Sequence, residues 1–251
     1  MELLKVEGLS KNFGGLSVLK DVSFALEVGE KVALIGPNGA GKTTLINLLS
    51  GVLPPTAGRI YASGRDITHL PLHRRASLGL ARSFQINTLF FNLTLLENIT
   101  LAVQGTKHSY FHMILPLNAY HHLFTEAQKL LETVGLWENR DVPVSDLSHG
   151  EQRKVEIALA LASKPKLLLL DEPSAGLSTA ETVAVTSMIH NLPKDTTVFF
   201  CAHDMDLVFN IADRVMVLYY GQIIAQGTPK EIQADTTVRE IYLGTEEAGS
   251  A

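Results

Sequence analysis

A glycine-rich segment near the start of the chain has the residue types that hold phosphate groups. It reads Gly-Pro-Asn-Gly-Ala-Gly-Lys-Thr-Thr, which matches the phosphate-loop pattern G-x-x-x-x-G-K-[ST]. Glycines let the backbone approach phosphate oxygens closely, so that several amide N–H groups point at one anion. The residues that we expect to contact this anion are Gly36, Pro37, Asn38, Gly39, Ala40, Gly41, Lys42, Thr43 and Thr44.

Two residues at the end of this phosphate loop (Gly36 to Thr44) have separate expected roles. Lys42 would reach the β- and γ-phosphates of a nucleotide, and the Thr43 hydroxyl would bind Mg²⁺. A helix that begins near Lys42 would add the positive end of its dipole. The alternative is a chance glycine-rich turn, but an apolar strand precedes the loop and an amphipathic helix follows it, as phosphate binding requires.

A pair of carboxylates follows the apolar run Leu167 to Leu170. Asp171, at the tip of a buried strand, could reach Mg²⁺ across from the phosphate loop. Its neighbour Glu172 could polarise the attacking water. By itself, such a pair is ordinarily a strand end that meets solvent; the phosphate loop favours the catalytic interpretation.

His203 follows another apolar run, Val198 to Cys201. A histidine in this position is often only a turn residue. Ligands of open parallel sheets bind at the carboxyl ends of the strands, however, and this run is expected to end at the same edge as the others. We therefore predict that His203 contacts the γ-phosphate and holds the water and Glu172 in place.

Hydrophobic periodicity indicates the elements that position these residues. The first thirty residues predict β structure, because apolar and polar residues alternate at Val22, Phe24, Leu26 and Val28. The apolar run 32–35 precedes the phosphate loop, and Leu45, Leu48, Leu49 and Val52 recur behind it at helical spacing. The later apolar runs 167–170 and 198–201 are separated by helical patterns, as in a buried parallel sheet.

Residues from about 68 to 163 are predicted to be mostly helical. One apolar face comprises Ala127, Leu130, Leu131 and Val134, and another comprises Val155, Leu159 and Ala162. The segment 104–123 mixes aromatics with histidines at positions 108, 112, 121 and 122. We favour a surface insertion over a metal site there, because these histidines form no tidy ligand set with carboxylates or cysteines. The predicted architecture is an α/β nucleotide-binding core with a helical insertion.

The composition of the chain disfavours several classes of protein. The chain has 251 residues, is 46% hydrophobic and carries a net charge of −5, which disfavours nucleic acid as the main partner. One cysteine, Cys201, excludes an internal disulfide framework and suits a reducing compartment. No signal peptide and no run of roughly 20 apolar residues is visible. We expect a chain that is soluble, or peripheral to a membrane through a partner.

The segment from Leu147 to Arg153, called here the signature segment, resembles the signature motif of ABC-type ATPases. The resemblance extends over essentially the whole chain, with Phe13, the phosphate loop, Gln85, Asp171-Glu172 and His203 in the family's order. It implies an α/β fold with a P-loop NTPase (RecA-like) core, a mixed or parallel sheet, an N-terminal antiparallel β subdomain and a helical subdomain. The chain would be one domain, with core residues 1–84 and 164–251 and helical residues 85–163.

The same resemblance implies roles for further residues. Phe13 would be an aromatic platform for the adenine of ATP, and Gln85 would bind Mg²⁺, sense the nucleotide and support catalysis. Ser148 and Gly150 stand at the start of a helix predicted to run to about Ser163, with amides and a hydroxyl facing outward as an anion site. With Glu151 they would meet ATP on an opposing subunit. The catalytic residues would be Lys42, Gln85, Glu172 and His203, with ATP and Mg²⁺ as cofactors.

This sequence departs from the family pattern at a few positions. His149 and Glu151 replace the usual glycine and glutamine, although the phosphate-facing positions are kept. Ser178 stands where an aspartate is frequent, which puts that dimer contact in doubt. Phe13 replaces the common tyrosine, and stacking needs only the ring face.

Three stretches resemble the ATPases of branched-chain or hydrophobic amino acid importers. They are Phe13-Gly14-Gly15, the stretch from Ala81 to Gln85 leading to Leu96-Glu97-Asn98, and the insertion 104–123. The ending Ile241 to Gly244 is shared with that group and also with lipopolysaccharide-export ATPases. Lipopolysaccharide-export ATPases remain an alternative, as do soluble ABC ATPases and a P-loop kinase. An importer would add a second ATPase subunit (identical or different), two transmembrane permease subunits and an extracytoplasmic solute-binding protein, at the cytoplasmic face of the inner membrane. Related importers carry urea or amides, and this subunit is not expected to contact the solute, so its sequence does not identify the solute.

Overall fold

The computed structural model describes residues 1–83, 89–106 and 121–241, and the chain there forms two sheets with helices packed around them. Gln85, the segment 107–120 and the end of the chain from 242 lie outside the described residues. No helix in the described ranges is both long enough and apolar enough to cross a lipid bilayer. The α/β class predicted from the sequence is confirmed.

The first sheet is antiparallel and has the strand order β2-β1-β4-β5. Its strands are β1 (Glu2–Phe13), β2 (Leu16–Glu27), β4 (Ala57–Ala62) and β5 (Arg65–Asp66). Val22, Phe24 and Leu26 are buried along β2, as their alternation predicted. The inclusion of Val28 was wrong: the strand ends at Glu27, and Val28 is 44% exposed where the chain turns at Gly29.

The second sheet has six strands in the order β10-β9-β3-β8-β7-β6. They are β3 (Lys31–Ile35), β6 (Leu80–Arg82), β7 (Leu167–Asp171), β8 (Thr197–Cys201), β9 (Arg214–Tyr219) and β10 (Gln222–Gly227). All neighbouring pairs are parallel except β9 and β10. The prediction of a mostly helical stretch between 68 and 163 missed β6, because three residues are too few to show a period.

Eight α-helices occur among the described residues. They are α1 (Lys42–Ser50), α2 (Leu72–Ser77), α3 (Leu95–Gly105), α4 (His121–Thr133), α5 (His149–Leu161), α6 (Thr179–His190), α7 (Met205–Ile211) and α8 (Pro229–Ala234). Four begin with a capping box, in which a hydroxyl and a glutamate exchange hydrogen bonds with backbone amides, at Thr94, Ser148, Ser178 and Thr228. Helix α5 ends at Leu161, two residues before the predicted end.

The central strands of the six-stranded sheet are buried on both faces, and successive residues along them point into two different cores. On β3, Val32 and Leu34 join the core shared with the antiparallel sheet and α1. Ala33 and Ile35 join the core formed with α3 to α7. This double burial explains why the central strands read as continuous apolar runs.

Arg75 of α2 is buried and ties together the segments around the far end of α1. Its guanidinium donates to the Leu48 and Leu49 carbonyls at 2.6 and 2.8 Å, to Leu70 at 2.9 Å and to Thr68 at 2.8 Å. The carbonyls at a helix C-terminus attract a cation, which offsets the removal of the charge from water. Burial lowers the pKa of Arg75 to about 10.

We expect Arg75→Ala to lower the free energy of unfolding by about 3 kcal/mol or more, since several buried carbonyls lose their donors together. The adjacent, exposed Arg74 provides the matched control, and Arg74→Ala should change stability by less than about 0.5 kcal/mol. Urea unfolding followed by circular dichroism would measure both. Equal, small effects would show that Arg75 does not hold the end of α1.

Candidate functional site

The phosphate loop lies between β3 and α1 and is packed tightly against other backbone. A Cβ added to Gly36 would lie 2.2 Å from the Leu218 carbonyl oxygen of β9, and one added to Gly41 would lie 2.8 Å from a Leu19 side-chain carbon. The amide of Gly221 also donates to the Ala40 carbonyl at 3.1 Å. The glycines therefore allow β2 and β9 to press the loop into one shape.

Lys42 is buried, and loop carbonyls surround its ammonium group. Nζ donates to the carbonyls of Gly36 at 2.7 Å and Pro37 at 3.0 Å, and the residue is 6% exposed. Burial lowers the pKa of Lys42, although the nearby Cys201, Glu172 and Asp171 act in the opposite direction. No carboxylate of the described ranges forms an ion pair with it. A buried ammonium group that contacts only loop carbonyls can also attract a phosphate anion.

Asp171 lies at the carboxyl end of β7, paired in register with Cys201 of β8. Its Oδ2 accepts a hydrogen bond from Arg82 at 3.2 Å, while Oδ1 is buried without a partner. Burial raises the pKa of the Asp171 carboxyl, and the guanidinium of Arg82 lowers it. A buried carboxylate oxygen without a donor fits a hard divalent cation such as Mg²⁺. Thr43, on the first turn of α1, would be the hydroxyl ligand.

Glu172 and His203 come together as the sequence predicted. Nε2 of His203 lies 3.0 Å from Oε1 of Glu172, and both side chains are about 40% exposed. His203 immediately precedes Asp204, which caps α7. The pair therefore stands at the carboxyl edge of the sheet, where a water molecule can reach it.

The backbone of Glu172 is in an unusual conformation. Its φ is 49°, in the left-handed region, which costs a non-glycine residue about 1–3 kcal/mol. The amide of Glu172 donates to the Cys201 carbonyl at 3.0 Å. Arg153 of α5 donates to the carbonyls of Asp171 at 2.7 Å, Glu172 at 2.9 Å and Pro173 at 3.2 Å. These contacts fix the direction of the Glu172 side chain.

Two arginines that position the carboxylates were not predicted. Arg82 joins Asp171 to Asn47 of α1, and Arg153 pairs with the buried Glu156 at 2.6 Å while it binds three successive carbonyls. Arg82 lies in the stretch from Ala81 to Gln85, and Arg153 is the last residue of the signature segment. Contacts between segments far apart in the chain leave no periodic pattern in the sequence, so nothing in the sequence distinguished these two arginines.

The signature segment differs in one respect from the outward-facing anion site that we expected. Ser148 does cap α5, but its hydroxyl accepts from the Glu151 amide at 3.2 Å, and Glu151 accepts from the Ser148 amide at 2.9 Å. The Gly150 amide donates to Oε1 of Glu181 at 2.9 Å. Glu151 also accepts from Asn139 at 2.7 Å. Carboxylates of the same chain thus satisfy the first-turn amides of Ser148 and Gly150.

The remaining predicted positions are spread around this site. Phe13 ends β1 and is 46% exposed, with the Lys11 ammonium 5.0 Å from its ring centroid. Ser178, where the family often has aspartate, is the N-cap of α6. Gln85 lies outside the described residues, as do the histidines at 108 and 112; no group of three or more metal-binding side chains occurs in the described parts of the chain.

A phosphate loop, a strand-end aspartate and a glutamate–histidine pair at one sheet edge define a P-loop nucleotide hydrolase. The "ABC transporter" family model matches residues 19–175. The model "Branched-chain amino acid ATP-binding cassette transporter" matches residues 222–248. The chain belongs to the ABC transporter family, as one of its nucleotide-binding ATPases.

Several relatives whose names state a function resemble this chain over nearly their full length. A high-affinity branched-chain amino acid transport ATP-binding protein, LivG of Salmonella typhimurium, is 41% identical over 249 residues, covering 96% of this chain and 98% of LivG. BraF of Pseudomonas aeruginosa, described in the same words, is 37% identical with the same coverage. LptB of Acidithiobacillus ferridurans, a lipopolysaccharide export system ATP-binding protein, is 37% identical over 97% of each chain.

Solved structures show the same fold. The ADP conformation of MJ1267, an ATP-binding cassette of an ABC transporter, superposes with a TM-score of 0.85 at 32% identity, covering 97% of this chain and 99% of that one. A nucleotide-free cassette superposes with a TM-score of 0.83, also at 32% identity, covering 96% of this chain and 99% of that one.

We expect Lys42→Ala and Glu172→Gln to separate binding from hydrolysis. Loss of the Lys42 charge should weaken ATP binding about 10- to 100-fold, because a hydrogen bond to a charged group is removed. Glu172→Gln should bind ATP normally but hydrolyse it at least about 100-fold more slowly, as for loss of a general base. Fluorescent-nucleotide titration and phosphate release would measure the two effects. Near wild-type turnover in Glu172→Gln would remove Glu172 from this role.

Proposed function

We propose that this chain hydrolyses ATP to drive the import of branched-chain or other hydrophobic amino acids. The match of residues 222–248 to the branched-chain amino acid transporter model carries the choice of solute class. LivG and BraF, whose names state that transport, add support. Lipopolysaccharide export is the second candidate, because LptB is as similar to this chain as BraF is.

Hydrolysis would use the residues at the sheet edge in separate roles. The amides of the phosphate loop would bind the phosphates, and Lys42 would move its ammonium from the loop carbonyls to the β- and γ-phosphates. Thr43, Asp171 and Gln85 would hold Mg²⁺, which supplies neutralisation of phosphate charge. Glu172 would accept the proton of the attacking water, and His203 would orient Glu172 from 3.0 Å. Phe13 would stack on the adenine.

A second ATPase subunit would complete each site. Ser148, Gly150 and Glu151 at the start of α5 would face the γ-phosphate of ATP on the opposing phosphate loop, so two nucleotides would lie between two subunits. Support comes from the position of these residues on the first turn of a helix, whose dipole favours an anion. The second subunit would be a copy of this chain or a related one.

The other partners follow from a role in import. Two transmembrane permease subunits and an extracytoplasmic solute-binding protein would join the ATPase pair at the cytoplasmic face of the inner membrane. We propose that residues 1–84 and 164–251 form the core, that residues 85–163 form the helical part, and that Gln85 at their junction senses the nucleotide.

A substitution at the helix start tests the shared site. We expect Ser148→Arg to reduce hydrolysis at least about 100-fold, because a bulky side chain would stand where the opposing nucleotide docks, while the monomer keeps its ATP affinity. Ser163→Arg, at an exposed position two residues beyond the other end of α5, should leave both properties unchanged. Loss of hydrolysis and of ATP binding together in Ser148→Arg would argue against a site shared between subunits.

Copurification from membranes tests the transport assignment. Affinity-tagged chain, extracted in mild detergent and analysed by mass spectrometry, should bring down two multi-span subunits. The complex should show ATP hydrolysis that leucine or isoleucine stimulates when its solute-binding protein is present. Stimulation by lipopolysaccharide instead would select the export alternative, and the absence of any multi-span partner would contradict both.

A further inference from the structure

The start of helix α5 is already occupied by an anion of the same chain. The Gly150 amide, the second of the helix, donates to Oε1 of Glu181 at 2.9 Å. Glu181 belongs to α6, 31 residues further along the chain. The amides of Ser148 and Glu151 are engaged in the capping box. The carboxylate of Glu181 therefore takes the Gly150 donor that an approaching phosphate would need.

Close packing holds this contact in place. A Cβ added to Gly150 would lie 2.6 Å from Cγ of Glu181 and 2.8 Å from its Cβ, so only glycine admits the glutamate. Oε2 of Glu181 accepts from the Ser178 hydroxyl at 2.7 Å and from the Ser178 amide at 3.0 Å. The lack of a side chain at Gly150 would let a phosphate approach its amide. In this structure the same space holds the carboxylate of Glu181.

Glu181 is an anion over the whole physiological pH range. Hydrogen bonds from the Ser178 side chain, the Ser178 amide and the Gly150 amide lower the pKa of Glu181 to about 2. Its negative charge would repel a γ-phosphate at the same amide. The two anions therefore compete for one donor, and only one of them can use it fully.

We propose that Glu181 is an autoinhibitory latch, whose carboxylate must leave the Gly150 amide before the signature segment can bind the γ-phosphate of an opposing ATP. This inference rests on the proposed two-subunit site. Oε1 contacts Gly150, whereas Oε2 alone holds Ser178. Release from Gly150 thus gives up one hydrogen bond while the α6 cap remains.

The latch connects two parts of the catalytic apparatus. Ser178 and Glu181 follow the loop that starts at Glu172, and Gly150 belongs to the helix whose Arg153 binds the carbonyls of that same loop. Departure of Glu181 would make the Gly150 amide available to a phosphate. It would also remove the hydrogen bond that joins α5 to α6 at this point. In the isolated subunit the latch would raise the ATP concentration needed for dimerisation and keep basal hydrolysis low.

The test uses the full chain carrying Glu172→Gln, in which bound ATP persists. Dimerisation is followed by light scattering as ATP and Mg²⁺ are titrated. Adding Glu181→Gln removes the charge but keeps an oxygen for the helix cap, and should lower the half-maximal ATP concentration roughly fivefold, the size expected for one like-charge contact near water. With Glu172 intact, Glu181→Gln should raise basal ATP hydrolysis of the isolated subunit.

The chain offers a matched control for the loss of a capping glutamate. Glu231 forms the same capping box with Thr228 on α8, with amide contacts of 2.7 and 3.4 Å. Glu231→Gln should cost similar thermal stability but leave the half-maximal ATP concentration unchanged. If Glu181→Gln fails to fold, Glu181→Asp serves instead, since its shorter side chain should withdraw from Gly150 and shift dimerisation in the same direction.

The outcomes separate the latch from the function on which it rests. No ATP-dependent dimer in any variant, including the Glu172→Gln parent, would overturn the two-subunit site itself. A dimer that forms at the same ATP concentration with and without Glu181→Gln would overturn the latch alone. A higher ATP requirement in Glu181→Gln would also overturn it, and would make Glu181 a support for the signature segment.

Discussion

The register of three parallel strands is the constraint on which the site depends. Leu34 of β3 pairs with Cys201 of β8, and Cys201 in turn pairs with Asp171 of β7. The three strands therefore end level with one another, and the phosphate loop, the carboxylates and His203 all leave the sheet at one edge. A one-residue slip would exchange the two faces of a strand that is buried on both sides. The two cores thus fix the alignment of the reactive groups.

Backbone carbonyls hold three cations of this structure, two near this edge and one at the far end of α1. Lys42 binds carbonyls of its own loop, Arg153 those of the loop containing Glu172, and Arg75 those at the end of α1. Burying a cation costs free energy, and oriented carbonyls offset part of that cost. The positive charge of Lys42 can therefore still attract a phosphate. Arg153 and Arg75, in contrast, hold backbone segments together through their carbonyl contacts.

Patterns within short stretches predicted most of the fold and part of the site. The phosphate loop, its flanking strand and helix, and the meeting of Glu172 with His203 follow from local spacing and from the rule for parallel strand ends. The strand β6 was missed because it is short, and Val28 was assigned to a strand because its alternation continues past the turn at Gly29. The contacts of Arg82, Arg153 and Glu181 join segments far apart in the chain, so no local pattern could indicate them.

The backbone of Glu172 sets stability against activity at a single position. Its left-handed φ of 49° suits glycine or asparagine better than glutamate, so the residue that would polarise water makes the fold less stable than it could be. Selection for thermal tolerance alone would favour replacing it, and would yield a more stable protein that, on the proposed mechanism, could not hydrolyse ATP. Stabilised variants of this chain are therefore best sought elsewhere, with Glu172 held constant.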